Sequence, residues 1–417
     1  MRSALLFAIV VIAVAVLPLA VVAQEAKAPS RPVLHTESEE WEPETPRPPV
    51  VEAEELPPLL RWRARADYVY WWFKDMPLPP VLTTGLTTDD LPGAIGMPGT
   101  TILLGGLTVD ESNHAGARGA LSWWFDPAGI LGAEVVGLYM APRTRTVAEA
   151  SDGSPGSSVL SQPFFNAVTG QEDISFVALP GYTSGSVVAE VDARLWGAEA
   201  NGLVNLYQWR GFRIDGLAGF RYLQFHESVE LRAESTGMPG LPIIGGASTV
   251  GIDRFQVDNN FYGGQFGLRS ELRSGRFFVE AGVKLAFGVT CEALDVSGQT
   301  TLKFPGLAPQ SFTGGLYALS SNIGQRSASS FAVLPEGNVD LGWQPFDHVQ
   351  FRLGYSFLYL SKVARAGTQV DRRLNPNIIP GSTTFGFPGG PALPTATPIH
   401  EADFWLQGFN LGVELVF

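Results

Sequence analysis

The feature that most constrains this chain is a period of two that recurs from residue 61 to the last residue. In Arg63–Trp72, Arg63, Arg65 and Asp67 alternate with Ala64, Ala66, Tyr68, Tyr70 and Trp72. In Val187–Trp196, Val187, Ala189, Val191, Ala193 and Leu195 alternate with Val188, Glu190, Asp192, Arg194 and Trp196. Phe277–Val289 sets Phe277, Val279, Ala281, Val283, Leu285, Phe287 and Val289 against Glu280, Gly282, Lys284, Ala286 and Gly288. Val349–Tyr359 sets Val349, Phe351, Leu353, Tyr355, Phe357 and Tyr359 against Gln350, Arg352, Gly354 and Ser356. A period of two puts each set on one face of a strand. Strands are expected near 62–73, 117–125, 130–141, 187–208, 212–234, 256–273, 276–300, 328–343, 348–363 and 402–417.

The connections alternate in length. Lys74–Gly116, Pro142–Ser186, Ser235–Phe255, Thr301–Ala328 and Ala364–Glu401 are long. Asp126–Gly129, Trp209–Gly211, Ser274-Gly275 and Gln344–Asp347 are short and carry turn residues. Two kinds of β protein alternate in this way, a soluble sandwich and a membrane barrel. The expected strands exceed the ~5–6 residues usual in soluble sheets. Glycine, 47 of 417 residues, sits on the polar face, where a crowded lumen favours it. Aromatics gather at strand ends, as in Tyr68–Phe73 and Trp123–Phe125, like interfacial girdles. Short turns alternating with long loops are also a barrel property. The expectation is an all-β chain: a transmembrane, antiparallel, up-and-down β-barrel of ten strands. Twelve is the alternative, since two of the long segments could hide a hairpin. The last strand places Phe409, Leu411, Val413, Leu415 and Phe417 on one face and ends in Phe, resembling the strand by which assembly machinery recognises bacterial outer-membrane barrels.

Before the barrel, Arg2 and the apolar run Ala4–Val22 read as a secretory signal, with cleavage after Ala23; an uncleaved anchor is the alternative. Residues 24–60 hold repeated Pro and Glu and are expected to be a disordered periplasmic linker. The barrel domain is then 61–417. A net charge of −13 argues against nucleic acid as a partner, and part of that charge belongs to the linker. The single cysteine, Cys291, excludes an internal disulfide, and the five histidines show no metal-ligand spacing. No cofactor or metal is expected.

Several segments, in order over Arg61–Phe417, carry a resemblance: Trp71–Gly85, Gly116–Gly119 before Trp123–Phe125, Gly219–Leu223, Asp258–Gln265, Leu334–Glu336, and Tyr355–Tyr359 followed by Gln369–Asp371. Together they resemble a planctomycete family of β-barrel porins, the seventh catalogued under that name. The resemblance implies an outer-membrane barrel and brings no catalytic residues with it.

Charges on the polar face are the functional candidates: Asp67, Glu190, Asp192, Arg194, Arg213, Asp215, Arg221, Arg269, Glu271, Glu280, Lys284, Arg352 and Glu414. Lining a water-filled pore, they would set ion selectivity; filling a narrow barrel, they would pair with one another. Ten strands enclose little space, since aqueous channels need about sixteen. An enzyme is not expected. His226 and Glu227 are adjacent on a strand and point to opposite faces, and no G-x-S-x-G elbow occurs. The expected protein is a monomeric barrel in the bacterial outer membrane, with both termini periplasmic. It would contact membrane lipid, engage the assembly machinery through the strand ending at Phe417, and pass small polar solutes or ions by diffusion. The alternative is a sealed barrel that anchors or contacts other envelope components.

Overall fold

The alternating segments become ten long strands in a computed structural model. It describes residues 62–417 apart from Leu107, Glu111, Ser112, Ile243, Ile244 and Thr397. The expected signal Met1–Ala23 and the linker over 24–60 lie outside the described residues. The strands are β1 (Trp62–Phe73), β2 (His114–Trp124), β3 (Leu131–Ser151), β4 (Thr183–Trp209), β5 (Phe212–Gly237), β6 (Ser248–Ser274), β7 (Phe277–Lys303), β8 (Gly324–Phe346), β9 (Val349–Ala364) and β10 (Glu401–Val416). Each pairs antiparallel with its sequence neighbours. The ring closes where β1 meets β10, from Arg63 opposite Val416 to Phe73 opposite Leu406. Closure leaves no unpaired edge, which a sheet in lipid cannot tolerate.

Four short turns and both ends of the described chain share one end of the barrel. The β4–β5 turn is Arg210-Gly211, with φ of 43° and 80°. Left-handed backbone at both central positions suits a two-residue hairpin, and glycine supplies one of them without strain. In the β2–β3 turn the Asp126 carboxylate accepts from the Ile130 and Leu131 amides at 3.0 and 2.8 Å. The five long loops gather at the opposite, loop end.

The expected bounds of strands and loops need correction. β3 continues to Ser151, β6 begins at Ser248 and β8 reaches Phe346. The expected long connection Ser235–Phe255 is therefore only residues 238–247. The ring has the expected ten strands among the described residues, and the alternative of twelve falls. A hairpin does lie in a long segment, Leu160–Asn166 with Gln171–Ala178. It joins a small sheet with Leu82–Thr84, Thr101–Leu104 and Arg373–Leu374 in the barrel mouth instead of the wall.

The strands overreach a bilayer. β4, β6 and β7 have 27 residues each, whereas a tilted strand crosses the hydrocarbon with about 9–11. The outward face shows which part is immersed. At the turn end it carries Trp62, Trp123, Trp209, Phe277, Trp343, Phe346 and Phe417; near mid-strand it carries Tyr70, Tyr139, Trp196, Tyr262 and Phe331. Between these two rims lie Leu121, Val135, Leu206, Phe266, Leu272, Leu341, Leu353 and Leu411, all exposed. So much exposed apolar surface is stable only against lipid. Beyond the upper rim the strands project as a head whose outer face is polar, with Glu190, Glu230, Arg232, Glu234 and Arg254.

Candidate functional site: the lumen

The inner face of the wall changes character along its length. At the turn end it is charged. Among the described residues nine cations, Arg63, Arg65, Arg118, Arg213, Arg221, Arg269, Arg273, Lys284 and Arg352, meet nine anions, Asp67, Glu134, Glu199, Asp215, Glu271, Glu280, Glu336, Asp340 and Glu414. They pair across the lumen. Lys284 Nζ lies 2.8 Å from Glu199 and 3.4 Å from Glu336. Glu336 also faces Arg118 at 2.9 Å and Arg221. Arg269 reaches Glu134 at 2.8 Å, Arg65 reaches Asp340 at 2.8 Å, and Arg352 joins Glu280 at 3.0 Å and Glu414. Arg63 and Glu271 stand on β1 and β6, opposite walls of a ten-strand ring, yet lie 3.6 Å apart. The space left among these side chains is about 60 Å³, room for a few waters.

Ten of the thirteen sequence candidates belong to this network: Asp67, Arg213, Asp215, Arg221, Arg269, Glu271, Glu280, Lys284, Arg352 and Glu414. Glu190, Asp192 and Arg194 do not; this is a correction. They lie on the outer face of β4 beyond the upper aromatic rim, while Val187, Ala189, Val191, Ala193 and Leu195 are buried inside. Period two separates two faces without saying which one is inward. In the head, water is outside and packed loops are inside, so the polarity inverts. The same inner face continues into the charged zone as Glu199, a residue found by extending the odd-numbered positions of β4. Glu134, Arg118, Glu336, Asp340, Arg63, Arg65 and Arg273 also belong to the network without being among the sequence candidates.

Above the charges an apolar layer crosses the barrel. Val69, Trp71, Phe73, Leu138, Met140, Leu195, Leu223, Phe225, Phe261, Leu334, Leu358, Leu360, Phe404 and Leu406 form one buried cluster. Phe225 on β5 and Phe404 on β10 come from diametrically opposite strands, and their rings stack at 4.1 Å between centroids. Phe73 packs on both, at 6.3 and 5.4 Å, and stacks on His114 at 3.9 Å. The Trp71 indole N–H donates to Asn410 Oδ1 at 2.8 Å where the layer meets the network below.

The loops lock onto the layer from above. Arg365, directly after β9, and Glu227 on β5 are both fully buried, with Nη2 and Oε1 2.7 Å apart. Arg365 also donates to the Lys74 carbonyl at 3.1 Å and lies over the Phe225 and Phe404 rings. Glu227 accepts from the Ala366 amide at 2.6 Å. His226, its neighbour in sequence, points outward to Asp258 at 2.8 Å, so the two share no chemistry. Higher still, a second apolar core joins Met76, Leu82, Leu160, Phe164, Tyr317, Val370 and Leu374 of the loops to Val191, Val229, Phe255 and Val296 of the wall. The amides of Leu316, Tyr317 and Ala318 donate to the Asp253 carboxylate at 3.1, 2.9 and 2.7 Å. Asp253 lies nine residues beyond the rim residue Tyr262, outside the immersed band. Burial raises its carboxyl to about 6 despite those three bonds. Burial also raises the Tyr317 hydroxyl. Among the described residues no group of His, Cys, Asp and Glu is arranged to hold a metal.

Comparison with known proteins gives a family and distant structural likenesses. The family described as Putative beta barrel porin-7 (BBP7) matches residues 62–417. No protein of curated function matches. Among solved structures, the outer membrane protease OmpT from Escherichia coli is 8% identical at a TM-score of 0.40, covering 86% of this chain and 97% of that one. A Pseudomonas aeruginosa FadL homologue is 9% identical at a TM-score of 0.22, covering 86% and 90%.

Proposed function

This chain belongs to the Putative beta barrel porin-7 family, and from that premise we propose that it is a sealed outer-membrane barrel whose loop-filled head, displayed outside the membrane, is the working part. The observation that carries this reading is the stacking of Phe225 on Phe404 across the full width of the ring. An ion entering that layer would exchange most of its hydration for contact with aromatic and aliphatic side chains. Below it, equal numbers of opposite charges are already paired, which fits a filled interior better than a selective one. Passive diffusion of small polar solutes or ions, the other reading, requires the Arg365–Glu227 latch and the aromatic layer to be displaced together.

Under this proposal the turn end faces the periplasm and the loop end the exterior. Met1–Ala23 directs export, the Pro- and Glu-rich segment trails in the periplasm, and the final strand with Phe417 is what the assembly machinery reads. The long strands then serve as a pedestal that raises the mouth above the lipid surface. The test is refolded protein in planar bilayers, with folding verified by a gel mobility that changes on boiling. No stepwise conductance is expected from the intact barrel. Discrete conductance from the correctly folded protein would refute the seal.

A further inference from the structure

Glu292 on β7 is a buried acid that belongs to neither the charge network nor the latch. It lies three residues beyond Val289, which pairs with the rim residues Tyr262 and Phe331, so it stands in the head above the immersed band. It is 1% exposed, and neither carboxylate oxygen has a hydrogen-bond partner among the described residues. The Thr290 hydroxyl on the same inner face is also buried and unpartnered there. Below them Ala286 belongs to the apolar layer, and above them Leu294 belongs to the head core. Glu292 marks the junction of the two.

Among the described residues no cation pairs with it. On β6, Asn259 stands opposite, and its amide is taken by Ala364 and Phe225. On β8, Ala328 is opposite, while Arg326 turns to the Asn322 and Ala396 carbonyls. The Ser330 hydroxyl donates to Glu401 at the start of β10. Lys362, near the end of β9, holds the same Glu401 at 2.6 Å. His400, beside Glu401 in sequence, is exposed. Burial, and next the Glu401 charge, raise the Glu292 carboxyl from 4.5 to about 7 against the pull of Lys362.

A neutral carboxyl can stay in this dry junction. An ionised one must draw in water or take Lys362 from Glu401. Glu401 is also where the loop of residues 365–400 ends, a loop held to the wall by Arg326 on Ala396 and by Gln369 Nε2 on the His400 carbonyl at 2.8 Å. We propose that Glu292 is a proton-operated lock on this loop: protonated, it leaves the loop end docked in the mouth, and ionised, it drives the loop end off the wall. The docked state holds the proton more tightly than a state with Glu292 in water. Docking is therefore at full strength below 4.5 and weakens as pH rises through 7.

Hydrogen exchange on the full chain folded in detergent reads the lock, with rates corrected for the intrinsic effect of pH. Protection of the amides over residues 398–404 should fall about thirtyfold between pH 5.5 and pH 8.5. Glu292→Gln should abolish the fall. Glu401→Gln removes the like charge and frees Lys362, so it should move the midpoint to lower pH. Asp253→Asn, which removes another head carboxyl raised by burial, should leave the fall unchanged. The heat-dependent gel shift verifies the fold of each variant. A parent without the fall, a fall that persists in Glu292→Gln, an unmoved midpoint in Glu401→Gln, or loss of the fall in Asp253→Asn would overturn the proposal. None of these results is read by conductance, so the seal and the lock can fail separately.

Discussion

Glu336 offers the sharpest test of whether the lumen is packed or solvated. Its carboxylate faces three cations, Arg118 at 2.9 Å, Lys284 at 3.4 Å and Arg221, with a side chain only 2% exposed. Glu336→Gln keeps the shape and removes the charge, so the three cations are left with Glu199 as their remaining nearby anion. If this half of the barrel were a water-filled channel, each pair would be worth the ~0.2–1 kcal/mol of a solvated ion pair. In a packed lumen, removing one partner leaves buried charge uncompensated and costs about 3–5 kcal/mol. A central value of about 4 kcal/mol shifts the folding equilibrium by roughly three orders of magnitude. Reversible urea unfolding in lipid vesicles, followed by tryptophan fluorescence, measures the difference. Adding Lys284→Met to Glu336→Gln should recover part of the loss, since an uncompensated cation is then removed. A single-variant cost under about 1 kcal/mol, or a double variant weaker than the single, would refute the packed-lumen reasoning.

Three further outcomes follow from the same geometry. Asp253 has its carboxyl raised from 3.8 to about 6, so the native state holds its proton more tightly than the unfolded state. Its contribution is fully present below 3.8 and is lost as pH rises through 6, up to about 3 kcal/mol in all. Urea midpoints at pH 5 and pH 7 should show this component in the parent and not in Asp253→Asn; an equal component in both would exclude Asp253 as its source. Glu227→Gln uncouples Arg365 where both side chains are fully buried and should cost about 3–5 kcal/mol, with faster protease cleavage within residues 365–400. Unchanged cleavage would mean that the latch does not hold this loop. Arg194→Gln alters an exposed outer-face charge and should change stability by less than about 0.5 kcal/mol with no conductance appearing. A large loss in the same unfolding assay would return Arg194 to the interior.

The sequence by itself determined the barrel, and for a physical reason. In the immersed band lipid and lumen have opposite polarity, so every strand there must alternate, and Phe277–Val289 or Val349–Tyr359 can be read directly. Turn chemistry at Arg210-Gly211 and Ser274-Gly275 added the direction changes. Ten of the thirteen nominated charges lie in this part of the wall, where the alternation has a fixed sense. Above the upper rim that sense disappears. Water bathes the outside and folded loops fill the inside, so Val187–Leu195 turned inward while Glu190, Asp192 and Arg194 turned out. The ends of β3 and β6 were hidden for the same reason, their outer faces being as polar as a loop. Only the tertiary structure decided what the lumen contains. Whether Phe225 meets Phe404, and whether Glu227 finds Arg365, depends on opposite walls and on a loop more than a hundred residues away. No local pattern records contacts of that range, and on them rests the difference between a channel and a sealed pedestal.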